Sequence, residues 1–146
     1  MLKPSDLDAA TLMTSEVVHL AADLPLSKAC RSLLDRGLSG APVLDGAELV
    51  GEVDLALLLE ATREGRPDTT PVGALAHPPA TCAPDVPLFE ACRQMVRARA
   101  HRLLVVGGGR VVGILAAIDV VRALAALDPT RLRWNPLTQT VEPAGE

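Results

Sequence analysis

Asp23-Leu24-Pro25-Leu26-Ser27-Lys28-Ala29-Cys30-Arg31 returns, in altered form, as Asp85-Val86-Pro87-Leu88-Phe89-Glu90-Ala91-Cys92-Arg93, 62 positions later. The same step pairs Ala21 with Ala83, Val43 with Val105, Gly46 with Gly108, Val50 with Val112 and Gly51 with Gly113, without a gap. A register held over that length marks an internal duplication, which constrains the fold before any single residue is interpreted. Each half of a 146-residue chain is too small to bury much core alone. The halves are therefore expected to form one module.

Each copy carries the same order of elements. In the first, Val17-Val18-His19-Leu20 reads as a strand, being apolar and rich in β-branched residues. Asp23 offers a helix N-cap and Pro25 fits a first helical turn. Leu26, Ala29, Cys30, Leu33 and Leu34 recur at helical spacing, and Gly37 ends the helix. Ala41 to Leu44 and Glu48 to Val53 read as antiparallel strands turning at Asp45-Gly46, and Leu55 to Arg63 as a second helix. The second copy repeats this as a strand over 79–83, a helix over 87–99 with Leu88, Ala91, Cys92, Met95 and Val96 inward, strands over 103–106 and 111–115, and a helix over 117–127 stopped by Asp128-Pro129. The expected division is a lead-in over 1–10, repeat 1 over 11–64, a polar linker over 65–73, repeat 2 over 74–127, and an extended tail over 128–146 with Trp134 docked on the body or on a partner.

Composition narrows the function. Hydrophobic residues make up 49% of the chain and aromatics 1%, so the core is built from Leu, Val, Ala and Ile. So few aromatics argue against single-stranded nucleic-acid binding by base stacking. No apolar run is long enough to cross a bilayer, and the first residues lack a signal-peptide core. Cys30, Cys82 and Cys92 are odd in number and lack CxxC spacing, which reads as reduced, mostly buried thiols in a cytoplasmic protein. The net charge of −4 is unevenly spread. Over 11–64, four basic residues face nine acidic ones; over 74–127, six arginines face three acids. Repeat 2 suits an anion better than repeat 1, unless the two balances only keep the surface soluble.

The order strand, helix, strand, strand, helix resembles a CBS motif, and two in tandem resemble a CBS pair, or Bateman module, over roughly 12–127. The resemblance rests on Met13-Thr14, on Asp23-x-Pro25-Leu26-x-x-Ala29, on Gly37-Leu38-Ser39-Gly40-Ala41-Pro42-Val43, on Val50-Gly51-x-Val53 and on Val112-Gly113-Ile114-Leu115-x-x-x-Asp119. It implies an α/β fold of two pseudo-symmetric halves. It also implies adenine-nucleotide binding in clefts between the repeats, with no covalent cofactor, and helix-to-helix contact between chains in a homodimer.

In that family a Thr/Ser-x-x-Asp element opens the last helix and its carboxylate takes the ribose hydroxyls. Repeat 1 has Asp54 and Leu57 at these positions, so its site reads as lost. Repeat 2 has Ala116 for the Thr but keeps Asp119, and Ala100-His101-Arg102-Leu103 resembles the His-Arg-Leu segment that meets phosphate in nucleotide-binding relatives. The expected nucleotide site is therefore Asp119, His101 and Arg102 with Thr81, Leu103 and Ala116 beside them, for AMP, ADP or ATP. Plainer readings stand beside it: Asp119 as a helix cap, His101 and Arg102 as a solvated corner, His19 as a structural histidine, Gly107-Gly108-Gly109 as a hairpin turn, and Cys30 and Cys92 as core.

No Gly-x-Ser-x-Gly, His-Glu-x-x-His or Walker lysine is present, so no enzyme is expected. The expectation is a stand-alone regulatory module that binds nucleotide weakly and modulates a dimer or an unknown protein partner, off the membrane. The alternatives are a ligand-free dimeric interaction module and, more distantly, a metal or redox switch using His77, His101 and Cys82. The dimer face is expected on Leu33, Leu34, Leu57, Leu58 and their counterparts.

Overall fold

The computed structural model describes residues 6–127, 132–138 and 140–144. Its elements are α1 (Ala9–Leu12), β1 (Leu20–Ala21), α2 (Leu26–Asp35), β2 (Gly40–Asp45), β3 (Glu48–Asp54), α3 (Leu55–Arg63), a 3₁₀ turn (Val72–Ala74), β4 (Thr81–Cys82), α4 (Leu88–Ala98), β5 (Arg102–Gly107), β6 (Arg110–Ala116), α5 (Ala117–Ala126), β7 (Leu132–Asn135) and β8 (Thr140–Pro143). Two three-stranded sheets, β1-β2-β3 and β4-β5-β6, repeat one topology. The first strand runs parallel to the second and the second antiparallel to the third. The copies agree even in a bulge, between Val43 and Leu44 in one and between Val105 and Val106 in the other. The α/β duplication is thus as expected.

Each repeat has its own core. Leu26, Leu33, Val43, Val53 and Leu58 are buried in the first; Leu88, Met95, Val105, Leu115 and Val120 hold the matching places in the second. Fully burying one such aliphatic side chain contributes roughly 1.5–3 kcal/mol. Several burial assignments differ from expectation. Leu34 and Val96 are 65% and 77% exposed, because each lies one residue past the buried Leu33 or Met95 and the helix has turned about 100°. Leu33 and Leu58, expected on an open dimer face, are fully buried. Cys82 is buried, whereas Cys30 and Cys92 are only partly so.

The segments before the first strands are exchanged. By their contacts the described residues form two units, one of residues 16–79 and one joining residues 6–15 to those from 80 onward. Leu7 and Ala9 are buried with the second repeat's core. Ala9 N–H donates to the Val86 carbonyl (2.9 Å), Leu88 N–H to Leu7 (3.0 Å), and Thr14 and Ile114 exchange two backbone hydrogen bonds (2.9 and 3.0 Å). The linker mirrors this on the first repeat. Val72 N–H donates to Leu24 (2.9 Å), Leu26 N–H to Thr70 (2.8 Å), and Glu52 and His77 exchange two bonds (2.9 and 3.1 Å).

That exchange explains how α2 starts. Asp23 does not cap it: Pro25 holds the N-cap position without a side-chain bond. The orphan N–H groups of Leu26 and Ser27 are met by the Thr70 and Asp68 carbonyls (2.8 and 3.2 Å) instead.

The remaining differences are local. The expected strands over 17–20 and 79–83 shrink to Leu20–Ala21 and Thr81–Cys82, which are the residues that find partners along β2 and β5. The tail is not extended: Leu132–Asn135 and Thr140–Pro143 pair as an antiparallel hairpin. The Asn135 side chain organises its turn, accepting from Leu137 N–H (3.0 Å) and donating to Glu142 (3.0 Å). Trp134 is 59% exposed and so is not docked on the body. Asp128 and Pro129, the expected helix stop, lie outside the described residues; α5 ends at Ala126.

Gly37 closes α2 in the left-handed conformation (φ 64°), and Leu38 N–H reaches back to Leu33 (2.9 Å). Arg99 stands at the matching place after α4 with φ 51°. For a residue with a Cβ that conformation costs roughly 1–2 kcal/mol. Glycine removes the clash but adds about 0.4–1 kcal/mol of chain entropy to the unfolded state. Arg99→Gly is therefore expected to raise stability by about 0.5–1 kcal/mol, seen as a higher urea midpoint at unchanged slope, while Arg99→Ala gains nothing.

Candidate functional site

The two helices that open from the third strands begin differently. In the first repeat Asp54 is the N-cap of α3, and its Oδ1 accepts from Leu57 N–H at 2.7 Å. In the second, the N-cap is Ala116, which has no acceptor. Asp119, three residues on, reaches back, and its Oδ2 accepts from Ala116 N–H at 2.8 Å. The two repeats thus use opposite halves of one capping box. Asp54 is committed to its helix and stands where a phosphate would be repelled. Asp119 has a carboxylate held at the helix start, with Oδ1 3.6 Å from the exposed Arg122 guanidinium.

His101 and Arg102 meet this helix start at one corner. The His101 carbonyl accepts from Ala117 N–H (2.8 Å), and Arg102, first residue of β5, lies opposite Ala116. The His101 side chain is exposed and that of Arg102 half-buried. The corner thus brings a fixed carboxylate on one backbone segment next to His101 and Arg102 on another. The guanidinium suits a bidentate anion and the carboxylate suits hydroxyls.

Thr81 and Leu103 fall elsewhere. They line a groove of about 320 Å³ with Ala80, Gln94, Arg97 and Ala98, between α4 and the β4 edge. Leu103 is buried and follows Arg102 on β5, where successive side chains turn to opposite faces of the sheet. Gln94 and Arg97 were not expected in a site. On α4 they read as surface residues, and only tertiary structure turns them into the groove. Arg97 is held by Glu90, whose carboxylate accepts from Arg97 (2.8 Å) and Arg93 (3.0 Å). Those two hydrogen bonds pull the Glu90 carboxyl below its usual range.

The first repeat has a larger cavity, about 550 Å³, at the opposite end of its sheet beside the β2–β3 turn. Asp23 and Asp45 line it and no basic residue does, so it does not suit an anion. Among the described residues no three His, Cys, Asp or Glu side chains gather as a metal site. Burial pushes all three thiols up, Cys82 by burial alone, so they are neutral at ordinary pH. No described helix is long and apolar enough to cross a membrane.

The model for the CBS domain matches this chain twice, over residues 8–64 and 72–126. Among solved structures, CBSX2 in complex with AMP is similar at 27% identity and a TM-score of 0.73, covering 81% of this chain and 96% of that one. A conserved protein of Pyrococcus horikoshii shares the fold at 20% identity and a TM-score of 0.76, over 85% of this chain and 96% of that one. A zinc metalloprotease of Methanocaldococcus jannaschii is 26% identical over 123 residues, 84% of this chain. The chain spans about a third (34%) of that curated relative's length.

Proposed function

We propose, on the premise that this chain belongs to the CBS domain family, that it is a regulatory and not a catalytic protein. Its second repeat would bind an adenine nucleotide, AMP, ADP or ATP, weakly and without a covalent cofactor. The observation that carries this reading is the corner of the second repeat, where Asp119, His101 and Arg102 converge beside Ala116. Arg102 takes the phosphate through its guanidinium and His101 adds a donor. Asp119 accepts from the ribose hydroxyls with the lone pairs that its cap leaves free. Thr81 and Leu103 flank the base. The charge balance supports the same repeat, since an anion avoids the acidic first copy and its Asp54. A relative at 27% identity, CBSX2, was crystallised in complex with AMP.

Binding regulates only if one state of an assembly holds nucleotide better than another. The assembly is a homodimer in the cytoplasm, joined through helix faces. Leu34 and Val96, and Leu59 and Val121, are exposed apolar residues at repeat-related positions. An unidentified protein partner is the further recipient of the signal.

Calorimetry against AMP, ADP, ATP, S-adenosylmethionine and NAD tests the reading. Arg102→Ala is expected to cost about 1.5–3 kcal/mol of AMP binding, the scale of a hydrogen bond to a charged group. It should leave adenosine, which lacks phosphate, nearly unaltered. Asp119→Ala should weaken both, because ribose is common to them. A chain that binds none of the ligands at millimolar concentration is instead a ligand-free dimeric module, the reading that Leu57 and Ala116 favour.

A further inference from the structure

Arg99 closes α4 in the left-handed conformation, with φ 51° and ψ 38°. The turn needs that backbone and nothing from a side chain. Arg99 N–H donates to the Val96 carbonyl (3.2 Å) and Ala100 N–H to Met95 (3.0 Å). The first repeat makes the matching turn with Gly37. A side chain kept where glycine would be less strained is a mark of functional sites. The fold makes no use of this one: Arg99 is exposed, and its side chain forms no hydrogen bond or ion pair among the described residues.

The charges of the second repeat single out the same place. Of its six arginines, Arg93 and Arg97 are held by Glu90, and Arg122 by Asp119. The other three have no acidic partner among the described residues. Arg110 stands at the β5–β6 turn, but Arg99 and Arg102 bracket His101 on the short connector from α4 to β5. Three steps of chain hold Arg99 and Arg102 within about 10 Å of each other, so both guanidinium groups can reach one extended anion.

We infer that Arg99 takes the second phosphate of the nucleotide, so that the site prefers ADP and ATP to AMP. The inference rests on the nucleotide reading above and adds the residue that sets phosphate number. Arg102 and His101 take the phosphate next to the ribose, and a diphosphate extends past them along the connector. A guanidinium offers that second group two parallel N–H donors and a full positive charge. Glu90 does not compete for it, being engaged by Arg93 and Arg97. The strain at Arg99 is thus offset in binding and not in folding.

The test is titration calorimetry of the full chain with AMP and ADP in magnesium-free buffer. The wild type is expected to bind ADP about fivefold more tightly, the upper end for one exposed charge pair. Arg99→Gly should bring ADP to within about twofold of AMP while the urea midpoint rises, so the lost preference is not lost folding. Arg110→Ala removes the same charge at the far end of the β5–β6 hairpin and should leave the ratio unchanged. A wild-type ratio near one overturns the inference and leaves nucleotide binding standing. So does an Arg99→Gly chain that keeps the preference, or an Arg110→Ala chain that loses it as fully. Binding of neither nucleotide at millimolar concentration overturns both readings.

Discussion

Gly51→Ala is expected to cost about 3 kcal/mol of folding stability, a large loss for adding one methyl group. A Cβ built on Gly51 would lie 2.6 Å from the His77 carbonyl oxygen, and backbone cannot swing aside as a side-chain tip can. Relief requires the linker strand to lift from β3. That gives up the two hydrogen bonds, 2.9 and 3.1 Å, which Glu52 and His77 exchange. Overpacking alone costs about 1–3 kcal/mol, and each lost bond adds about 1 kcal/mol. The second repeat supplies the control. Gly113 is the matching residue, but a Cβ there meets the flexible Met13 side chain, whose thioether can take another rotamer. Gly113→Ala should cost about 1 kcal/mol. Urea titration followed by far-ultraviolet circular dichroism measures both, because the exposed Trp134 reports little on the core. Equal losses for the two variants would mean that the linker is not seated rigidly on β3.

These two glycines also show what was legible. The offset of 62 residues implied the order of elements and both hairpins, because the turn glycines and apolar spacings survive in both copies. The exchange of lead-ins is carried by backbone hydrogen bonds such as Thr14 to Ile114, which leave no mark on residue type. Its only trace was a glycine in mid-strand, a sign of close backbone approach. The short first strands were overread for a related reason: Val17 and Val18 have strand-like side chains, yet strand length is set by how far a neighbour extends. Asp119, His101 and Arg102 were named from the resemblance to the CBS motif, and their part in binding is a proposal. Gln94 was not, since nothing in a helical glutamine foretells that tertiary structure will set it along a groove.

The second large effect separates core from surface on a single helix. Leu58 is fully buried in the first repeat's core, and Leu59, its neighbour on α3, is 69% exposed. Leu58→Glu puts a carboxylate among Leu26, Leu33 and Val53 with no partner for it, and is expected to cost at least about 4 kcal/mol. Most of the first repeat should unfold, and circular dichroism should show the loss of helix. Leu59→Glu replaces a side chain already in water, so folding stability should change by less than about 0.5 kcal/mol. Its consequence falls on the proposed dimer, which would have to bury that carboxylate in an apolar contact. With Val121→Glu at the repeat-related position, the double variant should elute as a folded monomer where the wild type is a dimer by light scattering. A wild type that is monomeric at high micromolar concentration, or a double variant that remains dimeric, removes this helix face as the contact.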